Sequence, residues 1–300
     1  MSRTWLRRLT AAVVISSLPL VASQPASASQ SAPAGGGAGV LIVGGSDADE
    51  AYPFVARLLT TDAAGHVGRC TGTFVTAHGR TAVVTAAHCV SDPTTAEAVP
   101  AATVQVQAGS THLDQLTTLA ATSVDVFPTW DWAQGDDAVA DVAVVNVKVP
   151  AGLRVRAVPL ADWVHPNEQV RLLGWGKATS TATQPPAVLQ QADSHVAARN
   201  DCAAAGITAG EFCVAPSAEG GAACSGDSGG PALHRRGAAW TLVGGVSRGT
   251  DEITCVGPVV YTDFVYYSRW IGRQLDGRHA SPHPRPVGPH AVQRFQSVGG

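Results

Sequence analysis

A serine set among glycines is the first feature of this sequence that could do chemistry. Ser228 lies in residues 224–231, which read CSGDSGGP. A serine hydroxyl is a weak nucleophile that needs an adjacent base, and the oxyanion created by its attack needs hydrogen-bond donors. Gly226 allows close backbone approach, so that the N–H groups of Gly226 and Ser228 would point at one carbonyl oxygen. The alternative, a glycine-rich turn with a capping Ser or Asp, predicts no matching base elsewhere.

A base and an acid suited to this serine occur earlier in the chain. His88 lies just after the apolar stretch at residues 82–84, and Asp141 opens the small-residue run at 142–145. We predict that this run is a strand that buries the carboxylate. The chain order His, Asp, Ser is neither that of subtilisin nor that of the α/β-hydrolases. We therefore predict a Ser-His-Asp site with Ser228 as the nucleophile.

The sequence resembles the trypsin/chymotrypsin-like serine proteases, because it carries six of their motifs in the family's order over residues 42–276. One such motif alone would be weak, whereas six in order are specific. The motifs are IVGG at 42–45, TAAHC at 85–89, Asp141 with its strand, GWG at 174–176, CSGDSGGP at 224–231 and SRG at 247–249. The resemblance implies that His88 is the general base and that Asp141 orients it. It also implies an oxyanion hole formed by the N–H groups of Gly226 and Ser228.

The resemblance further implies an all-β fold of two six-stranded antiparallel β-barrels of the chymotrypsin type, followed by a C-terminal α-helix. The composition agrees with many strands, because short Val/Thr/Ala-rich runs are broken by Gly and Pro. Charged residues make up 14% of the chain, against about 25% in average globular proteins. Residues 263–275 carry apolar side chains at helical spacing, with Asp263 as a candidate N-cap, and predict the helix.

The organisation of the chain indicates export. Residues 1–28 read as a signal peptide with a basic start, an apolar stretch and the cleavage site Ala-Ser-Ala at 26–28. This leader resembles those of bacteria in its Ala/Ser/Pro richness, and we predict a secreted, extracellular protein. Residues 29–41 read as a short propeptide, 42–277 as the serine protease domain and 278–300 as a disordered Pro/His-rich tail.

The cysteines predict a disulfide framework rather than a metal site. Six cysteines in an exported chain suggest three disulfides, for which 15 pairings are possible in principle. No C-x-x-C motif is present, and no cysteine stands with a histidine at zinc-ligand spacing. The resemblance to the family selects the pairs Cys70–Cys89, Cys202–Cys213 and Cys224–Cys255.

The charge distribution argues against polyanionic partners. The whole chain has a net charge of −3, but residues 42–277 hold all 23 acidic residues and 14 of the 20 basic ones, which leaves this domain at −9. We therefore expect no nucleic acid and no membrane among its partners. We expect protein or peptide substrates, protein protease inhibitors as further partners, and a monomer without cofactor or metal. Asp114 is a lone acid in the region where some relatives of the resembled family bind calcium, so we expect no strong calcium site there.

Two further positions predict a zymogen. Ile42 begins the segment that resembles the family's mature N-terminus, where the freed isoleucine amine pairs with the carboxylate just before the nucleophile, here Asp227. The alternative for Ile42 is an ordinary strand start. The residue before the expected cut is Leu41 rather than Arg or Lys, so we expect an activating protease that is not trypsin-like.

The resemblance also implies a specificity pocket beside Ser228. Ala222 stands at the position of the pocket base, where trypsin-like members carry Asp, and Val259 replaces a wall glycine. Together they predict cleavage after small or medium apolar residues. Cleavage after Arg or Lys stays open as an alternative, and it would need an acid from another loop, such as Glu219.

Three adjacent residues complete the predicted substrate-binding set. Ser247, Arg248 and Gly249 form the last of the six motifs. Gly249 keeps the pocket entrance open. Arg248 replaces the family's usual tryptophan, which leads us to expect a preference for an acidic residue further along the substrate.

A second class of function is a catalytically silent relative that uses the fold for binding. Silent relatives usually carry a substitution at the histidine or the serine. Here His88, Asp141 and Ser228 are all intact, as is Gly226, so the sequence favours a secreted serine endopeptidase.

Overall fold

The computed structural model describes residues 42–77, 79–132, 139–218 and 220–276. The predicted signal peptide, propeptide and C-terminal tail lie outside these ranges. The described strands are β1 (Ser46–Asp47), β2 (Val55–Thr61), β3 (Val67–Ala77), β4 (Arg80–Thr85), β5 (Val104–Ala108), β6 (Thr117–Val126), β7 (Ala143–Val147), β8 (Gln169–Gly174), β9 (Gln190–His195), β10 (Glu211–Val214), β11 (Pro231–Arg236), β12 (Ala239–Gly249) and β13 (Val259–Asp263).

Helices among the described residues are few and short. The α-helix α1 (Ser268–Leu275) ends the described chain, and 3-10 turns occupy Ala87–Cys89, Ala101–Thr103, Leu113–Gln115 and Arg199–Ala205. Within the described ranges, no helix has the length and apolar character needed to cross a membrane. The predicted all-β class with one C-terminal helix is confirmed.

The first barrel closes through β2-β3-β4-β7-β6-β5, with every neighbouring pair antiparallel. Its strands are rich in Val and Thr, which suit a pleated and half-buried surface. In β5 the side chains alternate as the sequence predicted, since Val104 and Val106 are buried while Gln105 is exposed. Phe74 and Leu58 fill the same barrel interior.

The second sheet has the order β1-β9-β8-β11-β12-β13-β10. It therefore holds seven strands rather than the predicted six, because the short β1 adds to the outer side of β9. The six longer strands still form a ring, since an isolated antiparallel bridge between Val196 and Val214 joins the end of β9 to β10. Val170, Leu172 and Tyr261 lie in the apolar core of this sheet.

The C-terminal helix starts later than the sequence predicted, at Ser268 rather than Asp263. Asp263 instead ends β13, and its Oδ1 accepts hydrogen bonds from the N–H groups of Val265 (2.8 Å) and Tyr266 (2.9 Å). It thus caps the turn before the helix and not the helix itself. Trp270 and Ile271 on α1 are buried in the core cluster of the first barrel.

All six cysteines form disulfides, in the pairs Cys70–Cys89, Cys202–Cys213 and Cys224–Cys255. The first joins β3 to the turn that carries His88. The third joins the segment before Ser228 to the loop after β12. Two of the three bonds therefore hold segments that position the candidate site.

Candidate active site

His88 and Asp141 lie together because the strands that precede and follow them are neighbours. His88 occupies the 3-10 turn directly after β4, and Asp141 lies two residues before β7. β4 pairs with β7, with Thr85 opposite Ala143. The sequence placed Asp141 at the start of this strand, whereas the strand begins at Ala143. Both functional side chains nevertheless emerge at the same end of the first barrel.

The Asp141 carboxylate fixes both the backbone and the ring of His88. Its Oδ1 accepts from the His88 backbone N–H at 3.0 Å, and its Oδ2 pairs with His88 Nδ1 at 2.8 Å. Ser247 Oγ donates to the same Oδ2 at 2.7 Å. The side chain of Asp141 is 0% exposed, so these donors replace the water that an ionised carboxylate would otherwise need.

The two titrating groups are tuned in opposite directions. Burial alone would raise the pKa of Asp141, but the interactions with His88 and Ser247 outweigh it and lower that pKa. Burial alone would lower the pKa of His88, but the charge of Asp141, its hydrogen bond to the ring and the charge of Glu252 together outweigh burial and raise that pKa. At neutral pH the arrangement therefore holds an ionised acid beside a histidine poised to accept a proton.

Ser228 is held where the two barrels meet. Its carbonyl accepts from Thr71 N–H of β3 at 2.8 Å, and the next residue, Gly229, donates to Val246 of β12 at 2.8 Å. Ser228 and His88 line the same cleft of about 330 Å³. The fold thus brings the predicted nucleophile and the predicted base to the same cleft, although they are far apart in the chain.

Backbone donors beside Ser228 are available to a substrate. Gly226 has φ of 104°, a conformation that favours glycine. The N–H groups of Gly226 and Ser228 donate to no other described residue. An oxyanion that formed near Ser228 would offer both of them an acceptor.

Asp227 is buried next to the GWG motif. Its Oδ1 accepts from Gly176 N–H at 2.7 Å and its Oδ2 from Cys224 N–H at 2.9 Å. A Cβ at Gly174 or Gly176 would collide with this carboxylate, which explains the two glycines. Burial raises the pKa of Asp227 to about 6, and the two backbone hydrogen bonds only partly oppose that effect.

Ile42, the expected mature N-terminus, lies inside the second barrel. Its side chain is 2% exposed and belongs to the apolar cluster that includes Val170 and Ala222. The neighbouring Val43 carbonyl lies so close to Gly221 that a Cβ at that glycine would collide with it. The segment after the predicted cut is therefore packed against Gly221, six residues before Asp227, in the uncleaved chain.

The predicted substrate-binding residues divide into two groups. Ser247, Arg248 and Gly249 line the cleft of Ser228. Ala222 and Val259 do not line it, and both are buried in the apolar cluster of the second sheet. Glu219, on which the Arg/Lys alternative depends, lies outside the described residues.

Arg248 does not present a free charge to the cleft. Its guanidinium forms an ion pair with Glu211, with contacts of 2.6 and 3.0 Å. The side chain of Arg248 is 12% exposed and that of Glu211 is 0% exposed. The expected preference for an acidic substrate residue therefore has no unpaired cation to support it.

Two residues at or near the cleft, Trp132 and Glu211, were not predicted from the sequence. Trp132 is 48% exposed and lines the cleft, and its ring lies 5.6 Å from that of His88 and 4.8 Å from that of Trp130. A glutamate within the apolar strand β10 was a signal that could have been used, because a buried carboxylate requires a partner such as Arg248.

A metal role for this region has no support in the side-chain chemistry. The group of possible ligands found among the described residues is Cys70, His88 and Cys89. The two cysteines are bonded to each other, so neither offers a thiolate, which is the form that binds metal.

A larger cleft of about 970 Å³, lined by residues such as Tyr52 and Trp240, contains none of the three candidate catalytic residues.

Comparison with known proteins covers the same segment. A family model described as Trypsin matches residues 42–271. The chain is 29% identical over 196 residues to trypsin alpha of Drosophila melanogaster, covering 63% of this chain and 72% of the relative, and trypsin alpha of Drosophila erecta gives the same values. It is 26% identical over 196 residues to trypsin delta of Drosophila melanogaster, with 63% and 73% covered. His88, Asp141 and Ser228 all lie within the segment that the family model matches.

Proposed function

This chain belongs to the trypsin family and is a serine endopeptidase, and on that premise we propose that His88, Asp141 and Ser228 are its catalytic triad. One observation carries the proposal. The Asp141 carboxylate holds the ring and the backbone of His88 at 2.8 and 3.0 Å, on the wall of the cleft that Ser228 also lines. The intact triad argues against a silent binding protein.

The reaction proceeds through an acyl-enzyme. Ser228 Oγ attacks the carbonyl carbon of the scissile bond while His88 Nε2 takes the hydroxyl proton. The N–H groups of Gly226 and Ser228 stabilise the oxyanion. His88 then gives the proton to the leaving amine, and the C–N bond breaks. A water molecule, deprotonated by His88, then attacks the acyl carbon of the ester. The bond between that carbon and Ser228 Oγ breaks, and His88 gives the proton to Ser228 Oγ.

Asp141 keeps His88 in the productive state during these steps. The Oδ2 contact with Nδ1 requires that the ring proton sit on Nδ1, which leaves Nε2 as the acceptor for the serine proton. When His88 becomes positively charged, the buried carboxylate stabilises it. This assignment is supported by the raised pKa of His88 and the lowered pKa of Asp141.

The enzyme is made as a zymogen and activated by cleavage between Leu41 and Ile42. Asp227 is buried, and its described hydrogen bonds come from two backbone N–H groups. A carboxylate in such a site gains from a cation. The ammonium released at Ile42 would provide it, and the burial of Ile42, whose neighbour Val43 packs against Gly221, supports the pairing. Sequencing of the active enzyme should begin Ile-Val-Gly-Gly.

Specificity is for small or medium apolar residues before the scissile bond. Support comes from the uncharged Ala222 and from Val259, which lie in one buried cluster with Val246, a residue that lines the cleft. The alternative of Arg or Lys has the relatives' name, trypsin, in its favour but lacks an acid at position 222. Profiling the activated enzyme with a peptide library separates the two, because dominant cleavage after Arg or Lys would overturn the pocket argument.

The protein is secreted into the extracellular space and acts there on protein substrates. The three disulfides support this location, since such bonds persist in oxidising compartments. Signal-peptide cleavage after Ala28 and the propeptide at residues 29–41 belong to the same proposal.

The decisive experiment labels the activated enzyme with a fluorophosphonate, which reacts with an activated serine. We expect one label on Ser228 and parallel loss of peptidase activity. Ser228→Ala should lose both, apart from a residual rate, while Ser225→Ala in the same loop should keep the label. Full activity in Ser228→Ala would contradict the assignment.

A further inference from the structure

The Arg248 guanidinium is fully occupied inside the protein. Besides the two contacts with Glu211, its Nε donates to the carbonyl of Ala205 at 2.7 Å and one terminal nitrogen donates to the carbonyl of Gly206 at 2.8 Å. The other terminal nitrogen donates to Ser247 Oγ at 3.1 Å. Arginine has five N–H groups, and these contacts use all five.

Ser247 links this cation to the candidate triad. Its hydroxyl has a single proton and can accept as well as donate. Because Arg248 can only donate, the Ser247 oxygen must act as acceptor toward it. The hydroxyl proton is then directed to Asp141 Oδ2, at 2.7 Å. Arg248 thus sets the orientation in which the Ser247 hydroxyl donates to Asp141.

The buried acid in turn fixes Arg248. Glu211 Oε2 also accepts from the backbone N–H and the hydroxyl of Thr208, at 2.6 and 2.9 Å. Thr208 Oγ1 accepts from the N–H of Val139, two residues before Asp141, at 3.1 Å. The same network therefore reaches Asp141 by its side chain and by the backbone segment that carries it.

We propose that Arg248, held by Glu211, is a positioning residue that acts on catalysis through the Ser247 hydroxyl and Asp141 rather than by binding substrate. This rests on the proposed triad. Without the guanidinium, the Ser247 hydroxyl can rotate away from Oδ2, and Asp141 loses a donor that keeps it ionised and aligned with His88. The loss falls on the chemical step, so kcat decreases while KM for a short substrate stays unchanged.

A double-mutant cycle tests this route. Arg248→Met alone would leave Glu211 buried and unpaired, so the pair is replaced together as Arg248→Met/Glu211→Gln. This replacement is made once with Ser247 present and once in the Ser247→Ala background, and kcat is measured on enzyme counted by fluorophosphonate labelling. We expect a decrease of about tenfold with Ser247 and less than twofold in the Ser247→Ala background, because coupled groups are non-additive.

Equal losses of kcat in both backgrounds would overturn the proposal and indicate a purely structural ion pair. A change confined to KM would also overturn it and assign Arg248 to substrate binding. If the pair replacement does not fold, Arg248→Lys is used in the same two backgrounds. One ammonium keeps a charge for Glu211 but cannot make all five contacts, and the same dependence on Ser247 is expected. Failure to label the unsubstituted enzyme would instead refute the proposed function and this role with it.

Discussion

Gly176 donates its backbone N–H to the Asp227 carboxylate at 2.7 Å and leaves no room for a side chain of its own. Asp227, the residue before the nucleophile, therefore packs against the GWG motif, which begins at the last residue of β8. The contact joins residues 51 positions apart. It explains why glycine stands on both sides of Trp175.

Gly176→Ala should destabilise the fold and disable the nucleophile loop. A methyl group would collide with Asp227, and relieving the collision must move buried backbone, at a cost of about 2 kcal/mol or more. Urea unfolding in the Ser228→Ala background measures this cost. Fluorophosphonate labelling of the enzyme that keeps Ser228 shows whether the nucleophile loop still holds an activated serine.

Gly272→Ala is the matched control for this change. A Cβ at Gly272 meets nothing within 4 Å, and the residue lies inside α1. Alanine there should stabilise the protein by about 0.5–1 kcal/mol. Equal free energies of unfolding for Gly176→Ala and Gly272→Ala would contradict the close packing of Gly176 against Asp227.

The pH dependence of kcat/KM should show an acid limb above the ordinary histidine value of about 6.5. His88 must be neutral to accept the serine proton, and Asp141 raises its pKa, so activity appears only as the pH rises through that raised value. Asp141→Asn should move the limb to lower pH, because the carboxylate that favours the charged ring is gone. It should also lower kcat by about 10⁴-fold, the loss typical of this triad.

The exposed Asp162 provides the control for that substitution. Asp162→Asn makes the same chemical change away from the cleft and should leave both the limb and kcat unchanged. Were Asp141→Asn to keep the original acid limb, the limb would have to belong to another group.

Cleavage before Ile42 should change how stability depends on pH. In the uncleaved chain, burial raises the pKa of Asp227 to about 6, from an ordinary value of 3.8. A raised folded pKa favours the protonated form, so this contribution to stability is present below about 3.8 and is lost as the pH rises through about 6. The loss amounts to about 3 kcal/mol, at 1.36 kcal/mol per pKa unit.

The cleaved protein should not lose this contribution, because the Ile42 ammonium would pair with the ionised Asp227. Thermal unfolding of cleaved and uncleaved Ser228→Ala protein between pH 4 and pH 7 measures the difference. We expect the gap in stability between the two forms to widen as the pH rises from about 4 to about 6 and to stay constant above that. Parallel profiles would contradict the pairing.

Val259→Ala should widen the pocket. Removing two methyl groups makes room for a larger side chain, and shape discrimination is about 1–3 kcal/mol per methylene. The ratio of kcat/KM for Phe over Ala before the scissile bond should therefore rise by about tenfold. Comparing two substrates on one variant cancels any loss of folded enzyme. An unchanged ratio would place Val259 outside the specificity determinants, consistent with a residue that only packs in the core.

The residue types and their order along the chain determined much of this protein. Glycine next to Ser228, the histidine after an apolar strand and an acid before another are local patterns, and each reports the chemistry of its own segment. Strand-forming composition and the apolar spacing of residues 263–275 likewise predicted the all-β class and the C-terminal helix. The start of that helix was wrong by five residues, because Asp263 caps the preceding turn while its own backbone still pairs in β13.

Only the tertiary structure decided the partners of the charged residues. Arg248 read from sequence as a cation facing substrate, yet it pairs with Glu211, 37 residues earlier. Trp132 was not among the residues predicted for the site, yet its ring lies beside that of His88. Such contacts depend on strand register and on how two barrels meet, and these are set by many distant pairings at once. A buried charge takes whichever opposite charge the fold brings within reach, and no local pattern records that choice.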